Sequence, residues 1–314
     1  MIQSVLKSAG VQAALVESEW WTIFWVTTIV TVIVLAVLAV AVRRGAARQE
    51  ATTDNDHSLH RYIGIAGALT VVILIGILVR SIVTSRALAS ERISGENVTQ
   101  IEVTAYQWWW SVEYQHPEPE QRVRTANELH IPVGRTVAIK LLASDVIHSF
   151  WVPSLAGKLD AIPGHESVLW IRAEQPGVYR GQCAEYCGFQ HAHMALVVVA
   201  EPSDQFERWI QAQRRTANQP QSGLEQRGLQ LFQRSACVMC HTIRGTAAGA
   251  RMAPDLTHYA SRSTIAAGTL PRTPEHTMRW LTDPQAIKPG SRMPTLALSA
   301  DDRAAIAAYL EQLH

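Results

Sequence analysis

From Trp20 to Val42 the chain runs for 23 residues without a charge, WWTIFWVTTIVTVIVLAVLAVAV. Its polar side chains are four threonines, whose hydroxyls a helix can bond back to its own preceding turn. A helix of about 20 apolar residues crosses the hydrocarbon core of a bilayer. The stretch has that length with little to spare, and it places part of the chain in lipid. A second apolar run, Tyr62 to Val83, is broken only by Arg80 near its end, where a long side chain can reach the interface. The two runs predict a transmembrane hairpin with helices over about 20–42 and 62–84. A buried core helix is the competing reading of each.

The flanking charges orient the hairpin. Between the runs lie Arg43, Arg44, Arg48 and Arg61, whereas the segment before Trp20 has Lys7 against Glu17 and Glu19. Positive loops stay in the cytoplasm, so the hairpin tip is expected inside and both termini outside. Trp20, Trp21 and Trp25 fit an aromatic belt at the outer face. The first run starts too late and is too long for a signal peptide, and it lacks a basic leader and an A-x-A site just after it. The expectation is a two-pass protein of a bacterial inner membrane, with everything beyond about residue 90 on the periplasmic side.

Composition narrows the rest. A net charge of +1 over 314 residues argues against a nucleic-acid binder. With 47% apolar residues the chain is not disordered, and four cysteines are too few for a disulfide scaffold. Residues 96–202 hold short runs rich in Val, Ile, Trp and Tyr, separated by Pro and Gly, which predict an all-β sandwich or barrel. SDQFERWIQAQRR then reads as a helix with Ser203 as its N-cap, and 216–223 (TANQPQSG) as a linker, together the 203–221 connection. Residues 222–314 have a helical texture, closing on a helix with Ser299 and Asp302 as a capping pair and Ile306, Tyr309, Leu310 and Leu313 on one face. With a membrane segment at 1–95, the chain is a multidomain one.

All four cysteines fall in two motifs. In SACVMCHTIRG, Cys237 and Cys240 precede His241 directly, the C-x-x-C-H signature of covalent c-type haem. The thiols would carry the thioethers and His241 would meet the iron. A redox dithiol or half a zinc site would need no adjacent His. A high-potential haem suits a soft second ligand such as Met. Met239 sits inside the loop and cannot reach round, which leaves Met252, Met278 and Met293. Met293 is favoured because KPGSRMPTLALS is a turn-rich loop before the closing helix, whereas Met278 reads as helix packing.

In GQCAEYCGFQHAHM, two thiols, an imidazole and a thioether fall within twelve residues, Cys183 to Met194. Such a soft N/S set selects copper. A mononuclear blue-copper site needs one Cys, so the second argues for two metals bridged by sulfur. A further His would come from elsewhere. His148 is the candidate, although alone it reads as well as a core histidine. Two short-loop disulfides are the bland alternative, but they leave the neighbouring His and Met residues without a reason.

Residues 15–200 resemble subunit II of the haem-copper cytochrome c oxidases, whose pattern C-x-E-x-C-x3-H-x2-M appears as Cys183, Glu185, Cys187, His191 and Met194, with His148 opening HSFWVPS. The resemblance implies a cupredoxin domain with a dinuclear CuA centre. Cys183 and Cys187 would bridge both coppers. His148 and Met194 would complete one copper, and His191 and the Glu185 backbone carbonyl the other. The Glu185 carboxylate would hold magnesium at the face of subunit I. His193 is not a ligand position in that family. Trp108, in YQWWWSVEY, matches the electron-entry tryptophan. Three tryptophans in a row alternate between core and surface, so one is expected to be exposed over the copper site. Residues 222–314 resemble class I cytochrome c, with Gly228 and Phe232 of the opening helix packing near Tyr309 and the Pro254 carbonyl orienting His241.

The resemblance therefore implies subunit II of a haem-copper cytochrome c oxidase. Electrons from a c-type cytochrome or a quinol–cytochrome c reductase would pass through haem c and CuA to subunit I, for oxygen reduction coupled to proton pumping. Subunit III would be a further partner, and the oxygen-reducing site lies on another chain. The family often has a Glu near the inner end of the hairpin that feeds protons to subunit I; here His57 and His60 stand between Asp56 and Tyr62. A membrane-anchored copper and haem carrier serving no oxidase is the alternative, but a carrier needs one anchoring helix rather than two. Quinol oxidase subunit II lacks the copper ligands, and nitrous oxide reductase lacks the hairpin and the fused haem domain.

Overall fold

The computed structural model describes residues 1–46, 56–90 and 98–314. Arg48 and most of the expected hairpin tip lie outside the described residues. The chain divides into two units, residues 14–94 and residues 1–13 with 95–314.

The first unit is a pair of long helices, α1 (Val11–Ala46) and α2 (Asp56–Ser90). Both outrun the expected spans of 20–42 and 62–84. An α-helix continues through polar flanks as long as each N–H finds its i−4 carbonyl, so counting apolar residues finds the lipid-crossing part and not the helix ends. At a rise of about 1.5 Å per residue each helix is roughly 50 Å long. Their apolar side chains stay exposed, Val37 at 64% and Val72 at 65%, which rejects the core-helix reading. Arg80 does more than reach an interface. Its Nε lies 2.9 Å from Glu19 Oε2 and its Nη2 donates to Ser18 Oγ at 2.9 Å, while Thr84 donates to the same carboxylate at 3.2 Å. These ties set the end of α2 beside the beginning of α1.

The second unit opens with a β-sandwich. Its strands are β1 (Thr99–Tyr106), β2 (Trp109–Tyr114), β3 (Val123–Ala126), β4 (Glu128–Pro132), β5 (Val137–Ala143), β6 (His148–Trp151), β7 (Leu159–Ala161), β8 (Ser167–Ile171), β9 (Gly177–Cys183) and β10 (Ala195–Glu201). They form two sheets, ordered β3-β2-β1-β5-β8 and β4-β10-β9-β6-β7. Alternation decides the faces. On β1, Ile101, Val103 and Ala105 are buried, and the parallel register sets Ile101 beside Ile139 and Val103 beside Leu141 of β5. Trp110, Tyr179, Phe150 and Leu129 fill the space between the sheets. The first residues of the chain close one side, with Ile2 donating to the Val178 carbonyl and Ala9 to that of Ser154.

Helix α3 (Ser203–Gln213) packs Phe206 and Ile210 on the sandwich. Pro202 is its N-cap, and Ser203, the expected cap, is its first helical residue. The helical domain follows with α4 (Gly223–Arg234), a two-residue ladder β11 (Thr264–Ile265) and β12 (Leu270–Pro271), α5 (Pro274–Thr282), α6 (Pro284–Ile287) and α7 (Ala300–Glu311). Ser222 and Glu225 form a reciprocal capping box on α4, and Ser299 caps α7 by accepting from the Asp302 N–H. Helices α4 and α7 cross where Gly228 meets Ala305. A Cβ there would stand 2.0 Å from the Ala305 carbonyl oxygen, so only glycine allows the contact. The Phe232 and Tyr309 rings, 6.3 Å apart, continue the crossing.

Residues 216–221 are not a free tether. Ala217 is buried and its N–H donates to the Arg244 carbonyl, while the side chains of Asn218 and Gln312 each donate to the other's backbone carbonyl. Polar amides that suit a solvated linker serve equally to dock a strap.

Candidate metal and haem-binding sites

The first site lies at one end of the sandwich. Strand β6 starts on His148, β9 ends on Cys183, and a tight loop returns through Cys187 and His191 to Met194 just before β10. The loop closes by three backbone bonds, Cys183 N–H to Met194 O, His191 N–H to Gly188 O and Met194 N–H to His191 O. Gly188 has φ +109°, and a Cβ there would press within 3.0 Å of Gln107 Nε2.

This local fold brings the sequence candidates together. The Cys183 and Cys187 sulfurs are 3.7 Å apart and form no disulfide. His148 Nδ1 lies 3.8 Å from the Cys183 sulfur and His191 Nδ1 3.6 Å from that of Cys187. Met194 Sδ is 3.9 Å from the Cys187 sulfur, and the Glu185 carbonyl oxygen 3.3 Å from that of Cys183. Donors about 2.0 Å (N) and 2.3 Å (S) from one tetrahedral metal stand about 3.5–3.8 Å from each other. The observed spacings match that, so the residues fit a metal held by soft donors. His148, Cys183, Cys187 and Met194 are each at most 2% exposed, and their setting is apolar.

The electrostatics are those of a thiolate site. The Cys183 thiol is held far below its ordinary value by its hydrogen bond with Cys187 and then by His148, against burial; the same contest pushes Cys187 up. A carboxylate not singled out from the sequence orients the buried imidazole. Asp145 Oδ1 is 2.9 Å from His148 Nε2, which turns Nδ1 toward the sulfurs. Burial opposes charge on Asp145, but His148 and the N–H groups of Gln107 and Val146 hold it below the usual carboxylate range. Its position in SDVIHS offers one clue, three residues ahead of His148. His193 turns away, its Nδ1 lying 2.7 Å from Gln190 Oε1.

The second site is a cavity of about 540 Å³ in the helical domain, lined by Cys237, Cys240, His241, Tyr259, Trp280 and Met293. His241 Nδ1 donates to the Pro254 carbonyl at 2.8 Å, leaving Nε2 to face the cavity. Burial lowers the pKa of this imidazole and keeps it neutral, as an iron ligand must be. The Met293 sulfur accepts from Trp280 Nε1 at 3.1 Å. Met239 and Met252 are about 70% exposed, at 68% and 70%, while Met278 packs on the domain core. His258 is buried against the Arg215 carbonyl and His276 bonds that of Pro271. Two free thiols, a neutral imidazole and a thioether around an apolar cavity fit a haem.

One tryptophan of the triplet is expected to be exposed over the copper site. None of the three is exposed: Trp110 is core, and Trp108 and Trp109 are half-buried. The helical domain covers them, and Tyr106, Trp108 and Trp109 form a wall of the second cavity. Trp108 Nε1 also donates to the Cys187 carbonyl at 2.9 Å. One indole thus touches both sites, and Lys288, 180 residues further along the chain, donates to the Trp108 carbonyl, a contact that no local pattern reveals.

Two family profiles match the chain, "Cytochrome C oxidase subunit II, periplasmic domain" over residues 118–201 and "Cytochrome c" over 225–314. A cytochrome c oxidase subunit 2 of Alkalihalophilus pseudofirmus is 37% identical over 220 residues, 70% of this chain and 62% of that protein, so the match spans less than two thirds of this relative. The subunit 2 of Bacillus sp. (strain PS3) is 32% identical over 250 residues, 74% of this chain and 68% of that protein. The crystal structure of the periplasmic domain of cytochrome oxidase subunit II of Bradyrhizobium japonicum is 29% identical, with a TM-score of 0.35 over 37% of this chain and 93% of that one.

Proposed function

The chain belongs to the cytochrome c oxidase subunit II family, and from that premise we propose that it relays electrons from a fused haem c through a dinuclear copper centre to the oxygen-reducing subunit I. The reading rests above all on Trp108, which is bonded to the Cys187 loop and also lines the haem cavity.

Cys237 and Cys240 would anchor the haem, with His241 and Met293 on its iron. Cys183 and Cys187 would bridge two coppers, with His148 and Met194 on one and His191 and the Glu185 carbonyl on the other. Bound there, the iron and the copper pair are one-electron carriers. The protein's part is to keep each site rigid. Pro254 fixes the His241 ring, Trp280 fixes the Met293 sulfur, and Asp145 fixes His148. Ligands that do not move between redox states keep reorganisation small. The apolar walls exclude water and strengthen every local charge effect.

Beside the copper donors, Tyr186 and Phe189 are 75% and 79% exposed, and the half-buried Glu185 lies next to them. This face would meet subunit I, with the Glu185 carboxylate sharing a magnesium ion there. The paired helices would dock in the membrane against the same subunit, with subunit III a further partner, both soluble domains periplasmic and the hairpin tip cytoplasmic. A c-type cytochrome or a quinol–cytochrome c reductase would be the donor. Oxygen reduction and proton pumping would belong to the assembled complex.

The test is photoreduction of the haem in the metal-loaded full chain. Electron transfer to copper should follow, and Trp108→Ala should slow it at least about tenfold while the spectra of both centres persist. A rate indifferent to Trp108 would sink the relay.

A further inference from the structure

Lys288 is 3% exposed, a rare place for an ammonium, and no carboxylate accepts from it among the described residues. It belongs to the helical domain, between α6 and Met293. Its Nζ donates to three backbone carbonyls, Trp108 at 2.8 Å, His193 at 2.7 Å and Ala266 at 3.0 Å. Three donors and three acceptors leave the group fully satisfied. Two of the acceptors belong to the sandwich, one on the bridging tryptophan and one on the residue before Met194.

The neighbouring contacts share the same seam. Gln190, 3% exposed, donates to the Pro289 carbonyl at 2.9 Å. The Ala195 N–H donates to the Ala267 carbonyl at 2.9 Å, and Thr269 donates to the His193 carbonyl at 3.3 Å. A Cβ on Gly290 would lie 3.5 Å from the Trp108 ring, so the 288–290 turn lies against the indole. Burial pulls the Lys288 ammonium down to about 7, against the attraction of Cys187.

We infer that Lys288 is a positioning residue, a latch that seats the haem-binding domain on the copper-binding domain in one register, with the Trp108 indole held between the two sites. Its role in electron relay rests on the reading proposed above. The latch acts through specificity. An apolar side chain would bury in many registers, whereas an ammonium is satisfied only where three carbonyls converge. Removing it leaves the Trp108 carbonyl buried without its donor, a penalty relieved only when the domains part. The haem domain is then a resident donor in a fixed seat, and not one that swings on a tether.

The inference predicts that opening exposes the strap. Arg214 and Arg215 precede it, and Arg244 of the haem domain covers the backbone there by donating to the Gln213 and Arg214 carbonyls. In the metal-loaded full chain, Lys288→Met should speed tryptic cleavage at Arg214 or Arg215 about tenfold or more, with the low-spin haem spectrum and the copper spectrum unchanged. Gln190→Ala, on the other side of the seam, should raise cleavage about threefold and tests the seat even if Lys288→Met misfolds. Haem-to-copper electron transfer should slow in the same order and become sensitive to solvent viscosity. Cleavage in both variants within about twofold of the parent, with native spectra, overturns the latch. Loss of haem-to-copper transfer in the parent chain would instead count against the relay itself.

Discussion

The two sites are built on opposite plans. The proposed copper-donor cluster draws five of its six donors from the twelve residues Cys183 to Met194, and one strand supplies the sixth, His148. Their atoms already stand at ligand spacing. The proposed haem site takes three groups from one turn, but Met293 comes from 52 residues beyond His241 (293 minus 241), and a wall comes from another domain. A compact site is fixed by one loop's hydrogen bonds. A composite site depends on how two domains meet, and substitutions far from its ligands should disturb it.

Removing one of the two proposed bridging donors gives the largest expected effect. Cys187→Ser should cost more copper affinity than the roughly ten- to hundredfold typical of outer-shell changes, and leave the haem spectrum intact. Copper titration with optical readout checks both halves; a disturbed haem would show the sites to be less separate than described. Met293→Ala should leave haem attached through Cys237 and Cys240 but abolish the low-spin His/Met spectrum. A spectrum that survives would move the ligand to Met252 or Met278. Asp145→Asn keeps the shape at His148 but weakens its orientation, and copper affinity should fall about ten- to hundredfold. Affinity equal to the parent's would remove Asp145 from the site.

The smallest effect concerns the seam away from the metals. His130 Nδ1 lies 2.8 Å from Glu201 Oε1, its ring stacks on Trp209 at 4.1 Å, and neighbouring Glu128 accepts from Ser263 of the haem domain. Burial opposes charge on His130, but Glu128 and Glu201 raise its pKa above 6.5. The stability from this pairing is therefore full below pH 6.5 and fades as pH rises through the raised folded value. Burial also opposes Glu128 ionisation, yet His130 and Ser263 lower its pKa from 4.5, so its share is full above pH 4.5 and fades as pH falls further. Melting of the full chain should be highest between about pH 4.5 and 6.5, and His130→Asn should remove the decline on the alkaline side at a loss of about 1–2 kcal/mol. An unchanged alkaline limb would rule the pairing out.

Much of this was legible in the sequence wherever chemistry was local. Charge-free length reveals the apolar helices, alternation the strands, and short spacing both thiol motifs. Legibility failed where partners are distant. The strap at 216–221 reads as a polar linker because its partners, Arg244 and Gln312, are far along the chain. One of Trp108, Trp109 and Trp110 reads as exposed because the sequence does not show which domain will cover them. Asp145 and Lys288 stayed unnoticed because a lone Asp or Lys in a polar stretch ordinarily sits in water. The helix ends of α1 and α2 were missed because hydropathy reports lipid contact, and helices do not stop where lipid does.

The central claim is two coppers sharing one electron between Cys183 and Cys187. Electron paramagnetic resonance of the copper-loaded full chain tests it most directly. Hyperfine structure from two equivalent coppers is the predicted result. A mononuclear copper spectrum would contradict it.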